Sequence, residues 1–303
     1  MNRSQKTGWA HRSFWLRLGG TVFSTGLLIF LVVQNWQSVV DAVQRISPSL
    51  LALTLGLMLA SRFFTGVRWY VLLRSAKMPI SFKETMSLTF VGLFASNFLP
   101  TTIGGDVVRL AGLIQLGQDR ALSVASLAAD RLVNMAGMAL ASPLGLVQVL
   151  SAPSAASAGL MTWSRRGIRF VKRIGESLSV WLKNPLALLL SFVFAALHMF
   201  CVFSVNYLLI HTFGGTLPFW RVIGLSSLAY FLGLVPISIN GYGWQELTAS
   251  TLLTVFGGVS ISISASVSVL NRILTIIASL PGAVTLPSVL ASARKMESGA
   301  NHD

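Results

Sequence analysis

The stretch Pro100-Thr-Thr-Ile-Gly-Gly105-Asp106 returns later in the chain as Pro236-Ile-Ser-Ile-Asn-Gly241. Both copies read Pro-x4-Gly, and both interrupt strongly hydrophobic sequence. Their surroundings match as well, since Tyr70 lies 30 residues before Pro100 and Tyr207 lies 29 residues before Pro236. A repeated unit with a helix-breaking segment at equivalent positions is typical of membrane transporters, in which such breaks line the binding site.

The composition places the chain in a membrane. Of its 303 residues 53% are hydrophobic and 11% are charged, whereas a soluble domain carries about 25% charged residues. Several apolar stretches reach the roughly 20 residues that a helix needs to cross a bilayer. We therefore predict an all-α, polytopic integral membrane protein with about six to eight transmembrane helices.

The charge is unevenly placed along the chain. Lys and Arg number 23 against 9 Asp and Glu, which gives a formal net charge of +14. The basic residues cluster between the apolar stretches, as the positive-inside rule describes, so membrane lipids, especially anionic phospholipids, are expected as partners rather than nucleic acid. The same rule predicts a cytoplasmic location for both termini, the 74–83 connector and residues 164–183.

The order of segments suggests one membrane domain, 1–303, built from two repeats. The predicted segments are a first span over 14–33, repeat one over 49–141, a candidate further span over 142–163, a basic amphipathic cytoplasmic helix over 164–183, repeat two over 186–290, and a polar tail over 291–303.

Charge also suggests how the repeats are oriented. If each Pro/Gly break is the tip of a re-entrant hairpin, the first hairpin enters from the cytoplasm and the second from outside, which makes an inverted repeat. The alternative is that the arms of each hairpin cross the membrane fully. The sequence leaves both arrangements open.

The breaks require protein or a water-filled cavity around them, because backbone groups that leave helical geometry cannot stay unsatisfied in hydrocarbon. Proline lacks the donor of a helix, and glycine permits unusual angles and close approach. Helices that start after the breaks would direct their N-terminal N–H groups at an anion such as phosphate. The simpler interpretation is a kink packed against its neighbours. The predicted helix-break residues are Pro100, Gly104, Gly105, Pro236, Gly241 and Gly243.

Charged residues follow both breaks and lie inside apolar spans. Ionisable groups at membrane depth are costly and tend to face an interior or a cavity. Arginine suits a lipid phosphate, and the carboxylates could balance the arginines, bind an amine or carry a proton. We predict that these groups converge on one central cavity, although they could instead pair with each other and lock helices together. The candidate substrate-binding residues are Asp106, Arg109, Asp130, Arg131, Glu246 and Arg272, with Asn240.

The sequence indicates neither a catalytic nor a metal site. No nucleotide-binding or metalloprotease motif is present, and Cys201 is the only cysteine. His198 lies alone in an apolar span, where one histidine usually makes a hydrogen bond between helices. We therefore expect no enzymatic activity and no cofactor.

Taken together, the motifs resemble the lysylphosphatidylglycerol synthase transmembrane-region family, a flippase-like family of bacterial and archaeal membrane proteins. The resemblance spans about residues 15 to 290. It is carried by Arg68-Trp69-Tyr-Val-Leu-Leu-Arg74, Asn97 through Arg109 with its Gly-Gly-Asp-x-x-Arg element, Asp130-Arg131-Leu132, Gly241-Tyr-Gly243-Trp-Gln-Glu246, and Arg272.

The resemblance implies a lipid flippase or transporter. Its cargo would be an anionic or aminoacylated phospholipid, or a related lipid-linked headgroup, moved across the bacterial cytoplasmic membrane. The alternative is a non-transporting scaffold or regulator of a lipid-modifying enzyme, and a homo-oligomer is also open. The sequence ends soon after its last span, without a soluble aminoacyl-transferase domain, so synthase activity is not expected. It departs from relatives at Asp130, where they often carry Glu, and at Asn240, where many carry Gly.

Overall fold

The structure is a computed structural model that describes most of the apolar part of the chain. The described residues are 46–99, 104–150, 184–235 and 237–285, with isolated positions before residue 46. Several predictions fall outside them, namely most of the first span 14–33, residues 151–163 of the candidate further span, the surface helix 164–183, the tail 291–303, and the two prolines Pro100 and Pro236.

The described residues form eight α-helices and no strand, which confirms the all-α prediction. Four of the helices are long and apolar enough to cross a membrane, and the last of these apolar stretches extends to Thr285. The helices are α1 Pro48–Ser75, α2 Phe82–Ser96, α3 Gly104–Gln115, α4 Arg120–Leu150, α5 Pro185–Thr212, α6 Phe219–Gly233, α7 Trp244–Val255 and α8 Ile261–Ser279.

Two pairs of short helices lie between the long ones. Helices α2 and α6 have 15 residues each, and α3 and α7 have 12. At 1.5 Å per residue they are about 18–22 Å long, well short of a hydrocarbon core of about 30 Å. Each pair folds back on itself, with α2 packed on α3 and α6 packed on α7. The two broken hairpins are therefore present where the sequence predicted them.

The helices form two equivalent halves, α1–α4 and α5–α8, each in the order long, short, short, long. Exchanging α1 with α5, α2 with α6, α3 with α7 and α4 with α8 turns every packed helix pair into another packed pair. The contact of α1 with α8, for example, becomes that of α5 with α4. Helices α1 and α5 pack on each other and are their own counterparts. Such a pattern is expected of an internal repeat related by a pseudo-two-fold axis.

Each half has its own apolar core. The larger cluster is formed mainly by α5–α8, with Met58 of α1 and Val149 of α4 added to it. The second lies among α1–α4 around Trp69 and Leu113, both fully buried. Dispersion contacts within each cluster fix the hairpin against its long helices.

The ends of the helices are set by local side chains. Ser47 accepts a hydrogen bond from the backbone N–H of Leu50, at 3.2 Å, just before α1. Ser81 and Glu84 form a capping box at the start of α2, and the Asp119 carboxylate accepts from the N–H of Leu122 at the start of α4. These are preferred N-cap residues because they satisfy N–H groups that the helix cannot.

Helix α4 is longer than predicted. We expected one span to end at residue 141 and another to begin at 142, but the helix continues through Pro143 to Leu150. Pro143 removes the donor that would bond to the carbonyl of Ala139. The hydroxyl of Ser142 donates to that carbonyl instead, at 2.9 Å, which is how a transmembrane helix tolerates a proline.

The orientation of the halves is predicted from charge alone and can be measured. We expect cysteines introduced at Ser47 and Thr216, in a Cys201→Ser background, to react with a membrane-impermeant thiol reagent added outside intact cells. A cysteine at Ser75 should react only after the membrane is permeabilised, because it adjoins the basic cytoplasmic connector. Labelling in the reverse sense would contradict the proposed topology.

Helices α4 and α6 cross with their backbones in contact. A Cβ atom added to Gly145 would collide with the backbone of Gly224, and one added to Gly224 would collide with that of Gly145. We expect Gly224→Ala to lower the free energy of unfolding by about 1–3 kcal/mol, because the helices must separate. Gly56→Ala is the control, since Gly56 also lies in a helix but faces open space. Equal thermal stability of the two variants in detergent would contradict this account of the crossing.

Candidate functional site

The two breaks meet in the folded protein. The phenolic O–H of Tyr242, in the second break, donates to the backbone carbonyl of Asn97, which lies immediately before the first, at 2.8 Å. The side-chain amide of Asn97 in turn donates to the hydroxyl of Ser279 on α8, at 2.8 Å. Backbone that leaves helical geometry is therefore satisfied partly by the other half, as membrane depth requires.

The first break uses its glycines for close packing. Gly105 lies against the backbone of Gly92 and the hydroxyl of Ser96, and Gly104 lies against Leu99. A side chain at Gly105 would force α2 and α3 apart, and one at Gly104 would displace Leu99. Both glycines lie in the first turn of α3 and are buried.

The second break uses left-handed backbone instead. Asn240, Gly241 and Gly243 have φ values of 52°, 75° and 74°. Glycine adopts such angles freely, and asparagine is among the side chains that tolerate them. Asn240 thus adopts a backbone conformation that asparagine tolerates and glycine adopts freely.

Each half contains the same pair of charges. In the first, the Nε of Arg131 on α4 donates to the carboxylate of Asp106; in the second, the Nε of Arg272 on α8 donates to that of Glu246. Both acids are the third residue of a helix that follows a break, where a negative charge is favourable. The partners are separated by 25 and 26 residues, so the repeat extends to the ion pairs.

The two pairs differ in exposure. The side chain of Arg131 is 40% exposed and that of Arg272 only 18%. Arg272 also donates through Nη2 to the side chain of Gln245, at 2.9 Å, and its guanidinium lies over the ring of Tyr242. The pair in the second half is therefore the more enclosed one.

The first half holds a larger group of charges, which we call the charged cluster: Arg68, Asp106, Arg109, Asp130 and Arg131. Asp130 accepts from Nε of Arg68 at 2.7 Å and from Nη1 of Arg109 at 3.2 Å. The same Nη1 of Arg109 lies 3.2 Å from Asp106. The cluster joins α1, α3 and α4, so it both balances charge and fixes the first hairpin against its long helices.

Arg109 is held from two sides. Its guanidinium lies over the ring of Trp69, 3.8 Å from the ring centroid, a cation–π arrangement that is strengthened by burial. With three arginines and two aspartates the charged cluster carries a net charge of +1. We predicted the three-residue spacing of Asp106 and Arg109 on one helix face, and the structure confirms that they touch.

A cavity of about 400 Å³ lies between the halves, and we call it the central cavity. Its wall contains residues of α1 and α4 from the first half and of α5–α8 from the second. The polar groups on this wall include Arg62, Asn134, His198, Glu246, Asn271 and Arg272. A cavity of this size, with a few polar groups in apolar surroundings, is typical of a small-ligand site.

Asn134 connects the charged cluster to the central cavity. Its side-chain oxygen accepts from Nη1 of Arg68 at 2.8 Å, and its amide donates to the hydroxyl of Tyr230 at 3.2 Å. Asn134 and Tyr230 both line the cavity. A change at the cavity wall can therefore reach Asp130 through two hydrogen bonds and one ion pair.

The predicted site residues fall into two groups. Glu246 and Arg272 lie on the cavity wall, whereas Asp106, Arg109, Asp130 and Arg131 belong to the charged cluster next to it. Of the five residues expected to converge on one cavity, Glu246 and Arg272 line the central cavity, whereas Asp106, Arg109 and Arg131 do not. His198 bonds to Ser61 between α5 and α1, at 2.8 Å, as a lone membrane histidine was expected to do.

Two arginines of α1 were not predicted as site residues. Arg68 was named only as part of a family motif, but it is buried and holds Asp130. Arg62 lines the central cavity. Both lie inside an apolar stretch of 28 residues, and a charge in such a stretch was the signal that could have identified them.

Within the described ranges, no three His, Cys, Asp or Glu side chains lie close enough to hold a metal ion.

Comparison with known proteins agrees with this architecture. None of the curated proteins compared with the chain matches it. The family model for the lysylphosphatidylglycerol synthase TM region, in contrast, matches residues 17–164 and 154–282. These matches cover most of the chain and include both breaks, both acid–arginine pairs and the central cavity. The chain therefore belongs to the lysylphosphatidylglycerol synthase TM region family.

Proposed function

We propose that the protein is a lipid transporter, which moves the polar headgroup of a phospholipid between the two leaflets of a membrane. The observation that carries this proposal is the central cavity, whose wall presents charged and hydrogen-bonding groups and is lined by helices of both halves, including the four long apolar ones. Family membership supports a role in lipid handling.

The physical argument concerns the barrier to lipid movement. A headgroup that crosses hydrocarbon loses its hydrogen bonds to water, and a charged group at the bilayer centre costs at least about 2.5–3.5 kcal/mol on insertion scales. Arginine, asparagine and carboxylate groups on the cavity wall can replace those hydrogen bonds, while the acyl chains stay in lipid. The two halves offer the symmetric scaffold on which alternating access is commonly built.

The finer assignments are part of the proposal. The lipid is an anionic or aminoacylated phospholipid, or a related lipid-linked headgroup, and the membrane is the bacterial cytoplasmic membrane with both termini inside. The protein acts as a transporter and not as an enzyme.

The test is movement of labelled lipid in vesicles that contain the purified protein. Fluorescent phosphatidylglycerol in the inner leaflet should become accessible to a reductant outside faster than in protein-free vesicles. Glu246→Gln and Asp106→Asn should slow this movement about tenfold or more, because each removes one charge-assisted pair. Both variants must first be monodisperse.

Glu84→Gln is the matched control, because Glu84 is exposed and Gln preserves its capping box. Full movement in both well-folded site variants would show that these carboxylates are structural. No movement with the native protein, together with a stable complex with a lipid-modifying enzyme, would favour the scaffold alternative.

A further inference from the structure

Three buried polar atoms without a hydrogen-bond partner belong to residues that line the central cavity. They are Nε of Arg62, Oε2 of Glu246 and Oγ of Ser268. Buried polar groups are nearly always paired, and each exception needs an explanation. A donor and an acceptor left unpaired on one cavity wall are explained by a ligand that supplies the complementary groups.

Arg62 is the unpaired cation on this wall. Within the described part of the chain it forms no ion pair, and its guanidinium donates through Nη2 to the hydroxyl of Thr275, at 3.2 Å. Thr275 lies three residues beyond Arg272, about one helical turn. Arg62 therefore lies near a second arginine, and an anion between these positions would relieve their repulsion.

Only one of the two carboxylate oxygens of Glu246 has a hydrogen-bond partner among the described residues. Its Oε1 accepts from Arg272, while Oε2 is buried without a partner. An ionised carboxylate can accept several hydrogen bonds, and a buried oxygen left without one is costly. An ammonium group is the donor that best fits such an oxygen, because it adds a charge-assisted hydrogen bond.

We propose that the central cavity takes a zwitterionic phospholipid headgroup, with its phosphate on Arg62 and its primary ammonium on the free carboxylate oxygen of Glu246. Phosphatidylethanolamine has this chemistry. The assignment deepens the proposed lipid transport: among the proposed cargoes it favours headgroups that carry a primary ammonium beside the phosphate over purely anionic ones. It depends on that transport for its biological role, but the binding it describes is measured separately.

The charges on the wall favour this ligand over simpler ones. Arg62 and Arg272 against Glu246 leave a net charge of +1, so a free amine would be repelled overall. A plain anion would pair with Arg62 but leave Oε2 of Glu246 unsatisfied. A ligand that carries both charges pairs with Arg62 and also with Oε2 of Glu246.

The test is calorimetric binding of short-chain lipids to the full-length protein in detergent micelles. We expect dihexanoyl phosphatidylethanolamine to bind about tenfold or more tightly than the matched phosphatidylglycerol, which has the phosphate without the ammonium. Arg62→Gln should weaken both lipids. Glu246→Gln should weaken phosphatidylethanolamine alone and abolish the preference.

Arg74→Gln and Glu84→Gln are the controls, since both residues are exposed and lie outside the cavity wall. If Glu246→Gln does not fold, N-acetylated phosphatidylethanolamine removes the ammonium from the ligand instead, and it should bind no more tightly than phosphatidylglycerol. Equal binding of phosphatidylethanolamine and phosphatidylglycerol to the native protein would overturn the proposal, as would a preference that persists in Glu246→Gln.

Soluble ligands test whether the site requires a lipid or binds any phosphate compound. Free phosphoethanolamine or inorganic phosphate that binds as tightly as the lipid would also overturn the proposal. The outcome is independent of transport: selective binding without lipid movement in vesicles would refute the proposed function alone, and lipid movement without selective binding would refute the headgroup assignment alone.

Discussion

Replacing Asp130 with Asn should lower the free energy of unfolding by about 3–5 kcal/mol, the usual cost of removing one partner from a buried ion pair. Asp130 is 3% exposed and accepts hydrogen bonds from both Arg68 and Arg109. Asn keeps the shape but removes the charge, so two buried arginines lose their shared partner. The effect should appear as a lower midpoint in denaturant titration of the detergent-solubilised protein.

Asp119→Asn is the matched control for this change. Asp119 is exposed at the start of α4, the helix that also carries Asp130, and its carboxylate caps the N–H of Leu122. Asn caps a helix as well as Asp does, so this variant should keep native stability. A midpoint for Asp130→Asn that equals the control would show that the charged cluster is not held together by Asp130.

Arg272→Gln should be the second severe change, because it leaves Glu246 as a buried carboxylate without its ion-pair partner. Glu246 is 6% exposed, so the expected loss is also about 3–5 kcal/mol. The double variant Arg272→Gln/Glu246→Gln should recover part of it, since removing both partners of a pair costs less than removing one. The coupling free energy from the four proteins measures the pair directly.

Arg131→Gln is the matched comparison in the other half. Arg131 holds an equivalent position but is 40% exposed, so its pair with Asp106 is better solvated. We expect a smaller loss of stability there, on the order of 1 kcal/mol. Equal losses at Arg131 and Arg272 would mean that burial does not distinguish the two halves.

The main lines of the fold could be predicted because they depend on local signals. Hydrophobic stretches of sufficient length gave the long helices, and Pro/Gly breaks gave the hairpins. The continuation of α4 beyond residue 141 was missed because a proline such as Pro143 normally stops a helix. Here the hydroxyl of Ser142 donates a hydrogen bond to the carbonyl of Ala139, which the proline leaves without its donor. Nothing in the local sequence reveals whether such a replacement hydrogen bond will form.

The candidate site was predicted only in part, because its partners are distant in sequence. Asp106 with Arg109 could be predicted, since helical spacing places them together. Arg68 and Asp130 are 62 residues apart, and their contact exists only once α1 and α4 have packed. The hydrogen bond from Arg62 to Thr275, 213 residues away, likewise depends on the packing of α1 against α8.

The interchangeable set of helix contacts has an energetic consequence. The two halves have equivalent helix packing but differ in conformation. Glu246 and Arg272 line the central cavity, whereas the equivalent pair, Asp106 and Arg131, lies outside its wall. If each half took the conformation of the other, the same helix pairs would still be in contact. An equivalent cavity would then be lined by Asp106 and Arg131. Two conformations that keep the same helix pairs in contact would differ little in helix packing, so a ligand's difference in affinity between them would set their populations.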